Sequence, residues 1–141
     1  MTTQQIQHVK FTWGIVAQLD NITVGNLFYN RLFEIAPSLR HMFANPMPEQ
    51  SKKLLGMIGY VINKLDKLED IIEEVEKLAQ RHVKYGVKNE HYTIVGTALL
   101  WTLSQGLSEH WTDEVKEAWI TCYTTLSNAM IAAAQQPQAA A

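Results

Sequence analysis

Apolar residues recur at steps of three and four along almost the whole chain, and this spacing constrains the fold more than any other feature. Such steps place side chains on one face of an α-helix, whereas a half-buried strand requires strict alternation. The 141 residues include only seven glycines and four prolines, and no alternating run is bounded by turn residues. The sequence therefore predicts an all-α domain of six or seven helices.

Capping residues and helix breakers set the expected boundaries. Thr2 or Thr3 is the expected cap of the first helix, and the second begins near Asp20 or Asn21. We predict helices over residues 3–18, 20–35, 49–64, 68–84, 89–108 and 112–134, with a short turn beginning at residue 37, a loop at 44–48 and a stop at residue 86. One domain over residues 1–134 is expected, followed by an Ala/Gln tail at 135–141 that we expect to be disordered.

Composition excludes several classes of protein. The 12 basic and 14 acidic side chains give a formal net charge of −2, so the basic surface that nucleic acid requires is missing. The single cysteine, Cys122, excludes an intramolecular disulfide framework and a Cys-rich zinc site. No apolar run is long enough to span a membrane, and the first residues do not resemble a signal peptide. We therefore expect a cytoplasmic protein that binds neither nucleic acid nor membrane.

Recognisable catalytic motifs are also missing. The five histidines show neither HExxH nor Cys/His zinc spacing, and the chain has no GxSxG, P-loop or dinucleotide-binding glycine motif. The sequence therefore favours a binding function over conventional catalysis by side chains.

One histidine is placed unlike the others. His82 extends an apolar helix face formed by Ile71, Val75 and Leu78, at offsets of 0, 4, 7 and 11. An imidazole on such a face needs a partner inside the domain. It is either a core histidine bonded to a backbone carbonyl, or a neutral metal ligand whose other nitrogen is held by a carbonyl one turn back.

Two further polar residues occupy similar positions. Gln50 begins the apolar face that continues through Leu54 and Val61, and Tyr29 lies on the apolar face of the second helix. Either has an ordinary interpretation, since a glutamine can be an exposed end residue and a tyrosine can direct its hydroxyl to the surface. Together with His82, however, they would place three polar side chains from three helices around one ligand.

The order Tyr29, Pro37, Phe43, Gln50 and His82 on this helix pattern resembles the globin fold of bacterial single-domain globins and flavohaemoglobins. The resemblance covers essentially the whole chain and is carried by the runs LFYNRLF at 27–33, MFANP at 42–46, QSKKL at 50–54 and RHVKYGVKNEHYTIVG at 81–96. It implies a three-over-three helical sandwich around haem, with residues 1–134 as the globin domain.

The resemblance also implies the site. It makes haem b the cofactor, with His82 as the proximal iron ligand and Tyr29 and Gln50 in the distal pocket. Phe43 would stack on the porphyrin and Leu54 would lie over its distal face. The remaining haem-lining residues implied by the same matching are Leu78, Val87, Tyr92, Val95, Leu99 and Tyr123.

The same resemblance suggests structural roles and shows one departure. Gly25 and Ser51 match small residues where two globin helices cross closely. Flavohaemoglobins pair a glutamate of the last helix with the proximal histidine and a tyrosine; Tyr92 matches the tyrosine, but the glutamate position falls on Ala134. Four cations are either partners of the haem propionates or plain solvated charges: Lys52, Lys53, Arg81 and Lys84.

The function implied first is reversible O2 binding for storage, delivery or scavenging, with high affinity from hydrogen bonds of Tyr29 and Gln50. The alternative is a nitric oxide dioxygenase that detoxifies NO with a separate reductase. Gas sensing and a cofactor-free helical module are further alternatives. The expected ligands are O2, NO and CO, and the expected state is a monomer or weak homodimer.

Overall fold

The computed structural model describes residues 1–43 and 46–135, and in these residues every regular element is helical. The α-helices are α1 (Thr3–Ala17), α2 (Asn21–Ile35), α3 (Met47–Asn63), α4 (Ile72–Lys84), α5 (Asn89–Leu107) and α6 (Asp113–Gln135), with 3-10 segments at Pro37–Met42, Leu65–Ile71 and Ser108–His110. The all-α prediction is confirmed. The expected Ala/Gln tail lies outside the described residues, apart from Gln135 at the end of α6.

Side-chain caps begin three of these helices where the sequence places them. The Thr2 hydroxyl accepts a hydrogen bond from the Gln5 N–H, and the Gln5 side chain accepts one from the Thr2 N–H. The Asp20 carboxylate caps α2 through the Thr23 N–H, and the Thr112 hydroxyl accepts from the Val115 N–H before α6. Each cap pairs an N–H group that the first helical turn leaves without a partner.

Two predicted helix starts were wrong. The helix expected over 68–84 begins only at Ile72, because residues 65–71 form a 3-10 segment interrupted by non-helical dihedral angles at Lys67. Leu65, Leu68 and Ile71 recur every three residues, and this spacing suits a 3-10 segment, in which residues i and i+3 align. In the other case α3 begins at Met47 rather than residue 49, since Pro48 is tolerated in a first turn.

The helices pack in two layers. One layer holds α1, α3 and α4, and the other holds α2, α5 and α6. The principal contacts between layers join α1 to α6, α2 to α3 and α4 to α6. Within the described residues, α3 and α4 are not a closely packed pair although they belong to the same layer. A gap is therefore left between these two helices.

The main core lies between α1, α5 and α6. Its centre holds Trp119, whose indole N–H donates to the Thr12 hydroxyl at 2.9 Å and whose ring is 6.2 Å from that of Trp13. A second group of buried residues surrounds Tyr29 between α2, α3 and α5. This second group lies beside the beginning of α3, where the sequence placed several candidate site residues.

Candidate functional site

The crossing of α2 and α3 is closer than side chains usually permit. A Cβ atom built on Gly25 would lie 1.9 Å from the Ser51 Oγ and 3.2 Å from the Ser51 Cα. Ser51 is fully buried, and its hydroxyl has no hydrogen-bond partner in the described part of the chain. Only small residues fit at this crossing, as the sequence resemblance suggested for Gly25 and Ser51. The close approach of the two helices brings Tyr29 of α2 next to Gln50 of α3.

Tyr29 is a buried hydroxyl donor at this crossing. Its side chain is only 2% exposed, and its hydroxyl donates to the Gln50 backbone carbonyl over a long 3.5 Å. Burial raises the pKa of Tyr29 to about 12, although a hydrogen bond with the Gln50 side chain acts in the opposite direction. At neutral pH the phenol therefore keeps its proton and can donate it in a hydrogen bond.

Aromatic and aliphatic side chains enclose Tyr29. The Phe43 ring centroid is 5.2 Å from that of Tyr29, and the Phe33 ring stacks on Tyr29 at 6.0 Å. We call this group the Tyr29 cluster; its buried members are Phe28, Tyr29, Leu32, Leu39 and Ala98, and its half-buried members are Phe33, Ala36, Met42, Phe43, Met47, Leu54, Ile94, Val95 and Leu99. The structure thus brings Phe43, Leu54, Val95 and Leu99 together with Tyr29.

Sequence reasoning missed some members of this cluster. Phe33 packs against both Tyr29 and Phe43, with ring centroids 6.0 Å and 5.6 Å apart, but it was not proposed as a site residue. Its position four residues after Tyr29, on the same helix face, was the available signal. Ile94 of α5 was also missed, and its spacing of four from Ala98 could have indicated it.

His82 lies near the end of α4 with its ring half buried. Its Nδ1 is 2.8 Å from the Leu78 carbonyl oxygen, one turn back, and no described residue bonds to Nε2. Burial lowers the pKa of His82, the hydrogen bond to Leu78 opposes this shift, and the nearby Arg81 charge adds to it. The imidazole is therefore neutral near pH 7, and donation from Nδ1–H leaves the Nε2 lone pair available to a metal.

The chain turn after His82 has a defined geometry. The Val87 N–H donates to the His82 carbonyl and the Gly86 N–H donates to the Val83 carbonyl, both at 3.0 Å. This pair of bonds is a Schellman motif, and Gly86 supplies the positive φ of 89° that it requires. The motif ends α4 and sets the half-buried Val87 just beyond the histidine.

Tyr123 of α6 bonds to the beginning of α5. Its hydroxyl donates to the Tyr92 carbonyl oxygen at 2.6 Å. Its ring lies so close to Gly96 that a Cβ there would be 2.6 Å from the Tyr123 Cε2. Burial raises the pKa of both Tyr123 and Tyr92, so both phenols stay protonated at neutral pH.

The candidate residues fall into two groups, one inside the Tyr29 cluster and one outside it. Leu78 is apart from the Tyr29 cluster and lines a cavity of about 140 Å³ between α3 and α4, together with Met57 and Val61. His82, Val87, Tyr92 and Tyr123 are likewise outside that cluster. A ligand bound between His82 and Tyr29 would therefore occupy the side of the molecule where α3 and α4 diverge.

The donor set fits a metal that brings most of its own ligands. Among residues 1–43 and 46–135, no group of three or more His, Cys, Asp or Glu side chains could hold a metal ion. A single neutral imidazole whose Nε2 has no partner among the described residues would instead suit haem, because the macrocycle supplies most of the ligands of its iron. In the described part of the chain, no helix is long and apolar enough to cross a membrane.

Comparison with known proteins agrees with this interpretation. The chain matches the Globin family over residues 26–130. It is 34% identical over 107 residues to a flavohemoprotein of Vibrio cholerae, covering 74% of this chain but 27% of that protein, so it spans about a quarter of the length of such relatives. It is 31% identical to an anaerobic nitrite reductase of Gossypium hirsutum, over 89% of this chain and 85% of that protein.

A solved structure shows the same architecture. The bacterial globin of Campylobacter jejuni superimposes with a TM-score of 0.81 at 29% identity, covering 95% of this chain and 96% of that one. The predicted three-over-three helical fold is thus confirmed, and haem with its iron is the cofactor. The family match spans both the Tyr29 cluster and His82, and the chain belongs to the globin family.

Proposed function

We propose that this globin binds O2 reversibly and with high affinity, as a protein of the single-domain flavohaemoglobin class. The observation that carries the proposal is the Tyr29 hydroxyl, which is buried, protonated and directed at Gln50 within an apolar cluster. His82 would hold the haem, and the iron would supply a binding position for O2, NO or CO. In the proposal, Tyr29, Gln50, Phe43 and Leu54 surround that position.

The distal residues act by donating hydrogen bonds in a dry pocket. These donors would favour O2 over CO, because bound O2 would accept a hydrogen bond better than bound CO. The Tyr29 O–H and the Gln50 side-chain amide are the available donors. Each buried hydrogen bond contributes about 0.5–1.5 kcal/mol, so two would tighten O2 binding roughly 10- to 100-fold.

The proximal residues hold the ligand imidazole. The Leu78 carbonyl accepts the His82 Nδ1 proton at 2.8 Å, which orients the ring and keeps it in one tautomer. In the proposal, Leu78 and Val87 cover the proximal side and Tyr92, Val95, Leu99 and Tyr123 complete the pocket. The hydroxyl of Tyr123 is already bonded to the Tyr92 carbonyl, so its ring is held in place.

The test is the absorption spectrum of the purified protein, reduced with dithionite and then exposed to O2. The proposal expects one broad visible band in the reduced protein and two bands after O2 is added. Sharp split bands before O2 is added would show an internal sixth ligand and would favour sensing or redox work over O2 storage or delivery. A protein without haem bands after haem is supplied would overturn the proposal altogether.

Nitric oxide dioxygenation with a separate reductase is the second candidate. It is supported by the similarity to flavohemoproteins, whose name joins flavin to haem and of which this chain spans about a quarter. Against a dedicated enzyme, Ala134 stands where flavohaemoglobins carry a glutamate that supports the proximal histidine. Steady NO consumption with a partner reductase would favour this candidate, whereas one stoichiometric burst of NO consumption would count against it.

The proposal also includes the cellular location and the oligomeric state of the protein. We place the protein in the cytoplasm. We also propose a monomer or weak homodimer, because the exposed large apolar residues are scattered over elements that include α1, α2, α3, α4 and α6. Its cations Lys52 and Lys53 are exposed and suited to pairing with haem propionates.

A further inference from the structure

The C-terminal half of α4 and the turn after it are strongly basic. Residues 77–89 contain four cations and no Asp or Glu, although the whole chain has a net charge of −2. The four are exposed: Lys77, Arg81, Lys84 and Lys88. None of them forms an ion pair within residues 1–43 and 46–135, where the ion pairs are Lys10–Asp66 and Arg31–Glu34. This basic segment therefore has uncompensated charge available to a partner.

Two large apolar side chains are exposed among these cations. Val83 is 50% exposed and Tyr85 is 59% exposed, and both lie between Arg81 and Lys88 in the chain. We call Arg81, Val83, Lys84, Tyr85 and Lys88 the α4 patch. Exposed apolar groups rimmed by polar residues can mark protein–protein contact sites, where aromatic residues and Arg are enriched.

The α4 patch is next to the proposed iron ligand. Val83 directly follows His82, and the ring centroid of Tyr85 is 6.0 Å from that of His82. A protein docked on the patch would thus contact residues adjoining the axial imidazole. Because electron transfer slows steeply with distance, this is a favourable position for an electron donor.

The charge also changes sign between the segment that leads into α4 and the end of that helix. Residues 66–76 contain six acidic side chains and one lysine, whereas residues 77–89 contain only cations. A negatively charged partner would be repelled from the first segment and attracted to the second, so the charges would orient it over the C-terminal end.

We propose that the α4 patch is the docking surface for an acidic electron-transfer protein that carries a reduced flavin. The proposal rests on the proposed haem function and names the separate reductase that a nitric oxide dioxygenase would require. In the exchange, one electron leaves the reduced flavin, which is oxidised by one electron, and ferric haem iron is reduced to ferrous iron; no covalent bond is made or broken. Such transient contacts are small and depend on salt.

The experiment uses the haem-loaded chain and a purified acidic flavodoxin. The dissociation constant is measured by titration with oxidised flavodoxin, and the bimolecular rate of haem reduction is measured with reduced flavodoxin. Lys88→Glu in the patch is compared with Lys116→Glu, because both are exposed lysines at the start of a helix and both changes alter the net charge equally. Tyr85→Ser tests the apolar part of the patch.

We expect Lys88→Glu to weaken flavodoxin binding and slow reduction roughly 3- to 10-fold at low ionic strength. The difference should vanish at 1 M salt, where the Debye length is about 3 Å. Tyr85→Ser should weaken binding at both salt concentrations, and Lys116→Glu should change neither quantity more than about twofold.

Three contrary outcomes have different meanings. Equal effects of Lys88→Glu and Lys116→Glu in a protein with normal O2 spectra would overturn the docking surface and leave the haem function intact. A chain without haem or O2 spectra would instead refute the proposed function. If Lys84 and Arg81 serve only the haem propionates, their replacement with Glu would reduce haem retention but leave flavodoxin binding unchanged, which would also count against the patch.

Discussion

Tyr29 shows how burial can prepare a side chain for binding. In water a phenol donates to solvent, whereas in the Tyr29 cluster its partner is the distant Gln50 carbonyl, at 3.5 Å. A hydrogen bond of this length is weak. A ligand that accepts a hydrogen bond from the Tyr29 hydroxyl at a shorter distance would therefore replace the weak bond with a stronger one. The raised pKa keeps the donor proton in place over the physiological range.

Tyr29→Phe should therefore raise the O2 dissociation rate roughly 2- to 10-fold and the CO dissociation rate less, since CO accepts hydrogen bonds poorly. Stopped-flow replacement of O2 by CO, and of CO by NO, measures the two rates. Tyr60→Phe is the matched control, because it removes the hydroxyl of a tyrosine that is 43% exposed on α3. Equal changes in the O2 and CO rates would contradict the role of Tyr29 as a donor.

At the scale of elements, the distance between α2 and α3 decides whether Tyr29 and Gln50 meet. Gly25 and Ser51 permit that distance because neither has atoms that would hold the two backbones apart. On the other side, the Schellman motif at Gly86 determines where α4 ends and where Val87 follows His82. Each half of the site thus depends on a glycine, one for close approach and one for a left-handed turn.

Gly25→Ala should destabilise the protein by about 1–3 kcal/mol, because its Cβ would lie 1.9 Å from the Ser51 Oγ and the helices must separate. Gly56→Ala is the matched control in α3, where a Cβ would meet nothing within 4 Å. That change should stabilise the protein by about 0.5–1 kcal/mol through better helix propensity. Urea unfolding measures both values, and a Gly25→Ala variant as stable as the parent would refute the close crossing.

At the scale of the whole molecule, several groups that lose a proton only at high pH are buried, namely two phenols and a thiol. Burial raises the pKa of Tyr29 to about 12 and that of the Cys122 thiol from 9.0 to about 12, and it also raises the pKa of Tyr123. In the unfolded chain these groups lose their protons at lower pH than in the folded chain. The unfolded state therefore binds fewer protons at high pH, and alkali favours unfolding.

The free energy of unfolding should thus fall as the pH rises from about 9 to 12. Urea titrations at intervals across this range measure the fall. Tyr29→Phe should make the decline shallower between pH 10 and 12, because one of the coupled protonation equilibria is removed. If the free energy of unfolding of Tyr29→Phe fell with pH as steeply as that of the parent, burial would not raise the pKa of Tyr29.

The sequence alone determined the helical class, most helix boundaries and the side chains that point inward. Spacing of three and four residues is a local property, and so are the caps at Thr2, Asp20 and Thr112. Even the carbonyl one turn before His82 follows from helix geometry. The start of α4 was misjudged because residues 65–71 have a period of three that is easily taken for a helical one.

Only the tertiary structure decided which of these side chains meet. Phe33 joined the Tyr29 cluster and Leu78 did not, because the angle and distance at which helices cross depend on contacts between residues far apart in the chain. The exposure of Val83 and Tyr85 beside His82 likewise could not be inferred from their apolar character, which by itself predicts burial. Helix formation depends on residues that are close in sequence, whereas the burial and contacts of a side chain depend on how the helices pack together.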